Sequence, residues 1–291
     1  MGREYAVAFA KRKGNNTDIK EISFQLIPNN SFKYWVADPF PIEVNGELYI
    51  YGEIFEYAKL KGSIGYTKLN GNRFTPWKVV IDEPYHLSFP NLFYEGDTLY
   101  MCPEAGDSKK LYIYRCDRFP DVWVKDKILA ENVSYRDTIF YSNKTGDFGF
   151  TCVWDSLEKH ELKLLAKREG VYEESKSKLD TLDYYLTRPA GKIFFDNNLK
   201  KDVMVSQICK PMYGSGLVIK EFDVDWPNYY EKELYRLYPK DIECDKRRNY
   251  CGMHTLNFTE HYVVIDLVWE RFSIVEKWYR GKRKAKKWLH I

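Results

Sequence analysis

Residues Trp35–Glu56, WVADPFPIEVNGELYIYGEIFE, decide how this chain is read. Asp38-Pro39-Phe40 opens a run of alternating residues, Asn45-Gly46 supplies the dipeptide that a type I′ hairpin turn demands, and an aromatic-rich run returns through Glu53. The stretch predicts a hairpin with one carboxylate opening its first strand and another closing its second. The pattern recurs. Phe89–Phe93 leads through Glu95-Gly96-Asp97 to a strand ending at Glu104, and Arg136-Asp137-Thr138 leads to one ending at Asp155. Arg188-Pro189-Ala190-Gly191 precedes Val203–Gln207, and Met253-His254-Thr255 precedes Tyr262–Trp269. Five copies at roughly 50-residue spacing indicate radial repetition rather than a sandwich. The expected fold is all-β, a five-bladed β-propeller.

A ring of blades needs its ends joined, or it leaves an open strand edge. Tyr5–Ala10 and Ile22–Ile27 alternate weakly and are read as edge strands that complete the last blade. Residues 1–276 then form one propeller domain, and 277–291 a basic, aromatic tail, helical or disordered. Glu173–Leu179 is charged and reads as a short helix or a loop.

Aromatic residues make up 17% of the chain, 24 of them Tyr, which suits strands and can also line a sugar site. A net charge of +3, with most Lys and Arg alternating with Asp and Glu, argues against nucleic acid as a partner. Six cysteines without CxxC pairing read as reduced core residues. The amino terminus lacks an apolar signal core and no long uncharged apolar run follows, so a cytoplasmic protein is expected. Lys277–Ile291 interleaves seven Lys and Arg with Trp and Tyr, a composition suited to contact with an anionic membrane surface. The histidines have no ligand spacing, and neither a metal nor a cofactor is expected.

In a propeller the first strand of each blade lines the central channel, so residues opening those strands converge on one mouth. That gathers Asp38, Asp137, Arg188 and His254. Glu53, Glu104 and Asp155, ending the second strands, reach the same depression if the hairpins are regular. Several carboxylates beside an Arg and a His suit glycosyl transfer, which needs a proton donor for the leaving oxygen, a base, and donors for hydroxyl or phosphate groups. Catalytic candidates are Asp38, Glu53, Glu104 and Asp137. Substrate-binding candidates are His86, Arg136, Asp155, Arg188, Lys210, Tyr213 and His254.

The runs ADPF and Gly52-Glu53, then HLSFP (His86–Pro90), Pro103-Glu104, RPAG (Arg188–Gly191), Tyr213-Gly214 and GMHTLN (Gly252–Asn257) resemble, in order, the amino-terminal domain of glucosamine inositolphosphorylceramide transferases and its bacterial relatives. That domain is similar to the five-bladed propellers of glycoside hydrolase family 43, in which an Asp of the first blade is the base and a Glu the acid. The resemblance implies carbohydrate chemistry with the base, or charge-stabilising, work on Asp38. It departs from the pattern at Arg136-Asp137-Thr138, where relatives carry Asp-Pro, and at Gln207-Ile208-Cys209, which lacks an acidic residue. Three functions follow as expectations. The first is a glycosyltransferase of surface-polysaccharide biosynthesis, moving a sugar from a phosphosugar donor, which Arg136, Arg188 and Lys210 suit, to a lipid-linked glycan acceptor. The others are a family-43-like hydrolase and a non-catalytic glycan-binding module.

Overall fold

The structure, a computed structural model, describes residues 2–14, 17–29, 31–154, 160–245, 249–271 and 274–288, with backbone alone over 283–288. Its strands form five sheets around an axis, antiparallel except where Ser23–Leu26 pairs with Glu243–Cys244, and the five-bladed β-propeller expected from the repeats is the fold. Blade one carries Tyr34–Val44, Glu47–Glu56 and Lys61–Asn70, flanked by the short strands Arg73–Phe74 and Lys78–Ile81. Blade two runs Ser88–Glu95, Thr98–Glu104, Lys110–Arg118 and Val122–Glu131. Blade three runs Arg136–Asn143, Gly146–Trp154, His160–Arg168 and Val171–Glu174. Blade four runs Phe194–Asp196, Lys201–Ile208, Gly216–Asp225 and Asn228–Leu237.

Blade five closes the ring. Tyr262–Arg271 pairs with Gly2–Lys11 in unbroken register from Gly2 opposite Arg271 to Lys11 opposite Tyr262. Ser23–Leu26 pairs on the far side of Gly2–Lys11. The amino-terminal strands thus complete the last blade as expected, with a correction: neither is the edge, since Gly2–Lys11 is paired on both sides and Ser23–Leu26, further out, pairs in turn with the short strand Glu243–Cys244. For Gly2–Lys11 the reason is its buried row Val7, Ala8 and Ala10, which an edge strand does not need. Two smaller readings also change. Of Glu173–Leu179, the first two residues end the strand Val171–Glu174 that completes blade three, and 175–179 form a loop rather than a helix. Of the six free cysteines only Cys102 and Cys152 are buried, the others being half-buried at strand ends and loops.

Apolar side chains fill the wedges between blades, chiefly Phe40, Tyr51, Leu92, Ile139 and Phe150 between blades one, two and three. Polar side chains tie the inner strands into a ring. The Asn257 amide donates to the Pro39 carbonyl at 2.9 Å, and the Asn91 amide donates to that of Thr138 at 3.1 Å. One ion pair is sealed completely, Lys220 with Glu231 in blade four, where Tyr229 and the Leu182 N–H also donate to the carboxylate.

The same irregularity opens the inner strands of the first three blades. Register slips between Ala37 and Phe40, between Ser88 and Asn91, and between Arg136 and Ile139. At the second residue of each slip the backbone is left-handed: Asp38 at φ 51°, Phe89 at 45°, Asp137 at 50°. Such a conformation costs a non-glycine residue about 1–3 kcal/mol and persists only where its surroundings enforce it. Gly52 lies across the ladder from the first slip, where a Cβ would stand 2.8 Å from the Ala37 carbonyl oxygen. The bulge turns Asp38 and Asp137 toward the axis while the rest of each strand keeps its alternation.

Candidate active site

The second strand of each hairpin places its carboxylate opposite the start of the first. Glu53 pairs with Ala37 and Glu104 with Ser88, at equivalent positions of blades one and two, and Cys152 takes that position in blade three. The carboxylates legible in the sequence therefore converge because two features of the blade coincide: a bulge in the inner strand and a residue facing it.

Asp38 is buried, 6% exposed, and is held from two blades. The Phe89 N–H donates to its Oδ2 at 3.1 Å and the Thr255 hydroxyl to its Oδ1 at 2.9 Å. Behind it stands Asp266, entirely buried, whose Oδ1 accepts the N–H groups of His254 and Thr255 at 2.9 and 3.0 Å and whose Oδ2 accepts the Asp38 N–H at 3.1 Å. His254 Nδ1 lies 2.6 Å from Asp266 Oδ2 and 3.6 Å from Asp38 Oδ1. Burial alone would keep this imidazole neutral, but the Asp266 and Asp38 carboxylates push it up to about 9. Burial would likewise raise Asp266, yet the charge on His254 holds it below its ordinary value. Tyr5 stacks on the other face of the ring at 4.8 Å.

Among the described residues Asp38, His254 and Asp266 also form a group that could offer cation ligands, with one atom from each within 4.8 Å of the others. The hydrogen bonds do not fit a metal. Both Asp266 oxygens already accept two donors each, so the proton on His254 occupies the place an ion would need.

A second cluster adjoins the first. Arg188, 6% exposed, donates from Nε to Asp137 Oδ2 at 2.5 Å and from Nη2 to Glu104 Oε2 at 3.2 Å. Arg136 takes the other Glu104 oxygen, and the Gln207 amide donates to Asp137 at 2.9 Å. Burial pushes Asp137 up to about 6 against the pull of Arg188. The half-buried Tyr213 ring joins the two clusters, with the Arg188 guanidinium 4.9 Å from its centre and the His254 ring edge-on at 5.6 Å.

Glu53 differs from every other carboxylate here. Its Oε1 is buried and receives no hydrogen bond, with His86 Nε2 3.4 Å away. His86 Nδ1 accepts the Gly62 N–H at 2.9 Å, and burial lowers the imidazole, so this ring is neutral with its proton on Nε2. Burial first, then the charges of Asp38, Glu104 and Asp137, raise Glu53 well above the ordinary carboxyl range. One basin thus presents a carboxyl that keeps its proton beside a carboxylate fixed by donors, the division of labour that acid–base chemistry requires.

Asp38, Glu53, Glu104, Asp137, His86, Arg136, Arg188, Tyr213 and His254 are drawn into these neighbouring groups by the contacts described. Lys210 is exposed on the surface, its ammonium 4.9 Å from the Tyr185 ring, and Asp155 lies outside the described residues. Sequence reasoning did not single out Asp266, Thr255, Tyr5 or Gln207. For Asp266 there was a signal: a lone carboxylate in Val263-Val264-Ile265-Asp266-Leu267-Val268 must be buried and therefore partnered.

The His254 pair yields a prediction for stability. An imidazole raised from 6.5 to about 9 on folding contributes stability in full below pH 6.5 and loses it as pH rises through 9. Thermal unfolding from pH 6 to 10 is expected to show Tm falling across that window, and His254→Gln is expected to flatten the slope.

Residues 24–148 match the family described as glucosamine inositolphosphorylceramide transferase 1, N-terminal. The chain resembles that amino-terminal domain. Glucosamine inositolphosphorylceramide transferase 1 of Arabidopsis thaliana is 25% identical over 226 residues, which are 72% of this chain and 27% of the relative. The protein of the same name from Oryza sativa subsp. indica is 32% identical over 100 residues, 33% of this chain and 13% of its own length. The chain therefore spans about a quarter of the length of the Arabidopsis relative at most. Among solved structures, a beta-xylosidase superposes with a TM-score of 0.53 at 12% identity, covering 82% of this chain and 92% of the other. Beta-1,2-mannobiose phosphorylase from Listeria innocua gives 0.53 at 9% identity, covering 89% and 96%. These last two likenesses are of fold. The segment matched by the transferase amino-terminal family holds Asp38, Glu53, His86, Glu104, Arg136 and Asp137, while Arg188, Tyr213, His254 and Asp266 lie beyond it.

Proposed function

We propose that the axial basin catalyses glycosyl transfer, from a phosphorylated sugar donor to a hydroxyl of a glycan, with Asp38 as base and Glu53 as acid. The observation that carries this reading is the contrast between those two carboxyl groups: Asp38 held by the Phe89 N–H and the Thr255 hydroxyl, Glu53 buried with an unpartnered oxygen. In the reaction Asp38 takes the proton of the acceptor hydroxyl as its oxygen bonds to the anomeric carbon. The bond from that carbon to the donor's phosphate oxygen breaks with its electron pair on oxygen, and Glu53 supplies a proton there. Glu104 and Asp137, locked by Arg136 and Arg188, orient sugar hydroxyls. The names of the relatives support transfer, as do two cations nearer solvent than Arg188: half-buried Arg136, which pairs with Glu104 and lies 5.7 Å from the Trp154 ring, and exposed Lys210. A role in building surface polysaccharides fits the same reading.

One observation favours hydrolysis instead. Arg188 spends its charge on Asp137 and Glu104, so the depth of the basin suits neutral hydroxyls better than a phosphate. Incubation with a panel of nucleotide sugars and aryl glycosides, with and without glycan acceptors, separates the two. An extended acceptor supports transfer, free sugar without acceptor supports hydrolysis, and binding without either product leaves a glycan-binding module.

A further inference from the structure

The carboxy-terminal helix, Ile274–Trp288, carries seven Lys and Arg residues against one Glu. That Glu276 faces the propeller. It is buried, accepts from Arg280 Nε at 2.7 Å, and lays its carboxylate against Gly2. The helix therefore turns its acidic residue inward and leaves an outer face that contains apolar groups. Ile274, 73% exposed, and Trp278, 56% exposed, lie one turn apart on the side away from Glu276, with Val275 also exposed and Lys282 over the Trp278 ring at 4.7 Å. Phe32, at 77% the most exposed large apolar side chain of the described residues, lies in a separate segment with the guanidinium of Arg271, the last residue of the strand before the helix, 5.9 Å from its ring.

A soluble helix ordinarily packs its apolar stripe inward and shows charge to water. Here an outward apolar strip is embedded in positive charge. Among the described residues no helix is long and apolar enough to cross a membrane. At 15 residues and 1.5 Å per residue it spans too little for the hydrocarbon core, but it can lie in the headgroup layer. We infer that this helix, with Phe32, docks the protein onto an anionic lipid surface. The charge selects the occupant: a second copy of the chain would bring the same positive helix, and a neutral apolar partner would not use it.

The placement gives docking a direction. Phe32, Trp35, Tyr5, Tyr57 and Arg271 line one cavity of about 220 Å³, and Tyr5 meets the Trp35 ring at a tilt and stacks on His254. The Phe32 edge is therefore joined through Tyr5 to His254 and the carboxylate cluster, and docking there would bring that cluster toward a lipid-borne glycan. Docking itself rests on the helix and Phe32 whatever reaction the basin performs.

The test is co-sedimentation of the full chain with phosphatidylcholine vesicles containing or lacking phosphatidylglycerol. Binding to the anionic vesicles is expected, weakened roughly tenfold or more without the anionic lipid or in high salt. Ile274→Ser with Trp278→Ser, and separately Lys277→Glu with Lys282→Glu, are each expected to weaken it to a similar degree with Tm unchanged, since these side chains are exposed. Equal binding to both vesicle types, no binding to either, or binding indifferent to both variants overturns the inference. So does retention on an RNA oligonucleotide without vesicle binding, which would assign the helix to polyanions in general. Vesicle binding without turnover, or turnover without vesicle binding, separates this inference from the proposed reaction.

Discussion

Asp38→Asn is expected to lower turnover by about 10²–10⁴-fold, the range for loss of a general base, while leaving Tm nearly unchanged. Asparagine is among the few residues that accept the left-handed backbone Asp38 adopts at φ 51°. Its carbonyl can accept the Phe89 N–H, and its amide can donate to Thr255, whose hydroxyl turns to accept. The His254–Asp266 pair behind it stays whole. What is lost is the capacity to take a proton. Asp38 is buried beside Glu53 and Asp137, and burial raises it despite the nearby His254, so it binds a proton more strongly than an exposed Asp does. Glycan binding, followed by calorimetry, is expected to survive. Full activity in the variant would remove Asp38 from the chemistry, and a collapse of Tm would make its role structural.

The repeat made the fold legible because each blade restates one hairpin, and turn chemistry such as Asn45-Gly46 is local enough to read without coordinates. The same period placed Asp38 level with Asp137 and Glu53 level with Glu104, which the ladders repeat residue for residue. What the period could not carry is the pairing between blades. Asp266 lies on the second strand of blade five and acts through His254 and the Asp38 N–H, 228 residues away from the latter in sequence. Tyr5 reaches the site only because the amino-terminal strand is interior to its sheet, and an alternating segment at a chain end gives no sign of which edge it will cover. Nor does the sequence reveal that Arg188 faces two carboxylates at once. Residue types announce which groups seek partners, and only the closed ring decides which partners they meet.

Arg188→Met is expected to destabilise the propeller by about 3–5 kcal/mol at pH 7, because it strips the counter-charge from two buried carboxylates while filling much the same volume. Asp137 would keep only the Gln207 amide, and Glu104 only Arg136. The loss is expected to depend on pH with a definite sign. Asp137 stands at about 6 in the native protein against 3.8 for an ordinary Asp, with Arg188 restraining the rise. Removing that restraint lifts it further, so the folded variant binds a proton that the unfolded chain releases, and stability falls as pH rises through the window above 3.8. The deficit relative to the parent is therefore smallest in acid and largest near neutrality. Denaturant melts from pH 4 to 8 measure it. Adding Asp137→Asn to Arg188→Met takes away the stranded charge and is expected to recover much of the stability at pH 7 but none of the activity. A constant deficit across that range, or no recovery in the double variant, would mean that Arg188 stabilises the axis by packing alone. The two clusters would then be electrostatically separate, and the acid–base assignment would have to stand on Asp38 and Glu53 without the support of their neighbours.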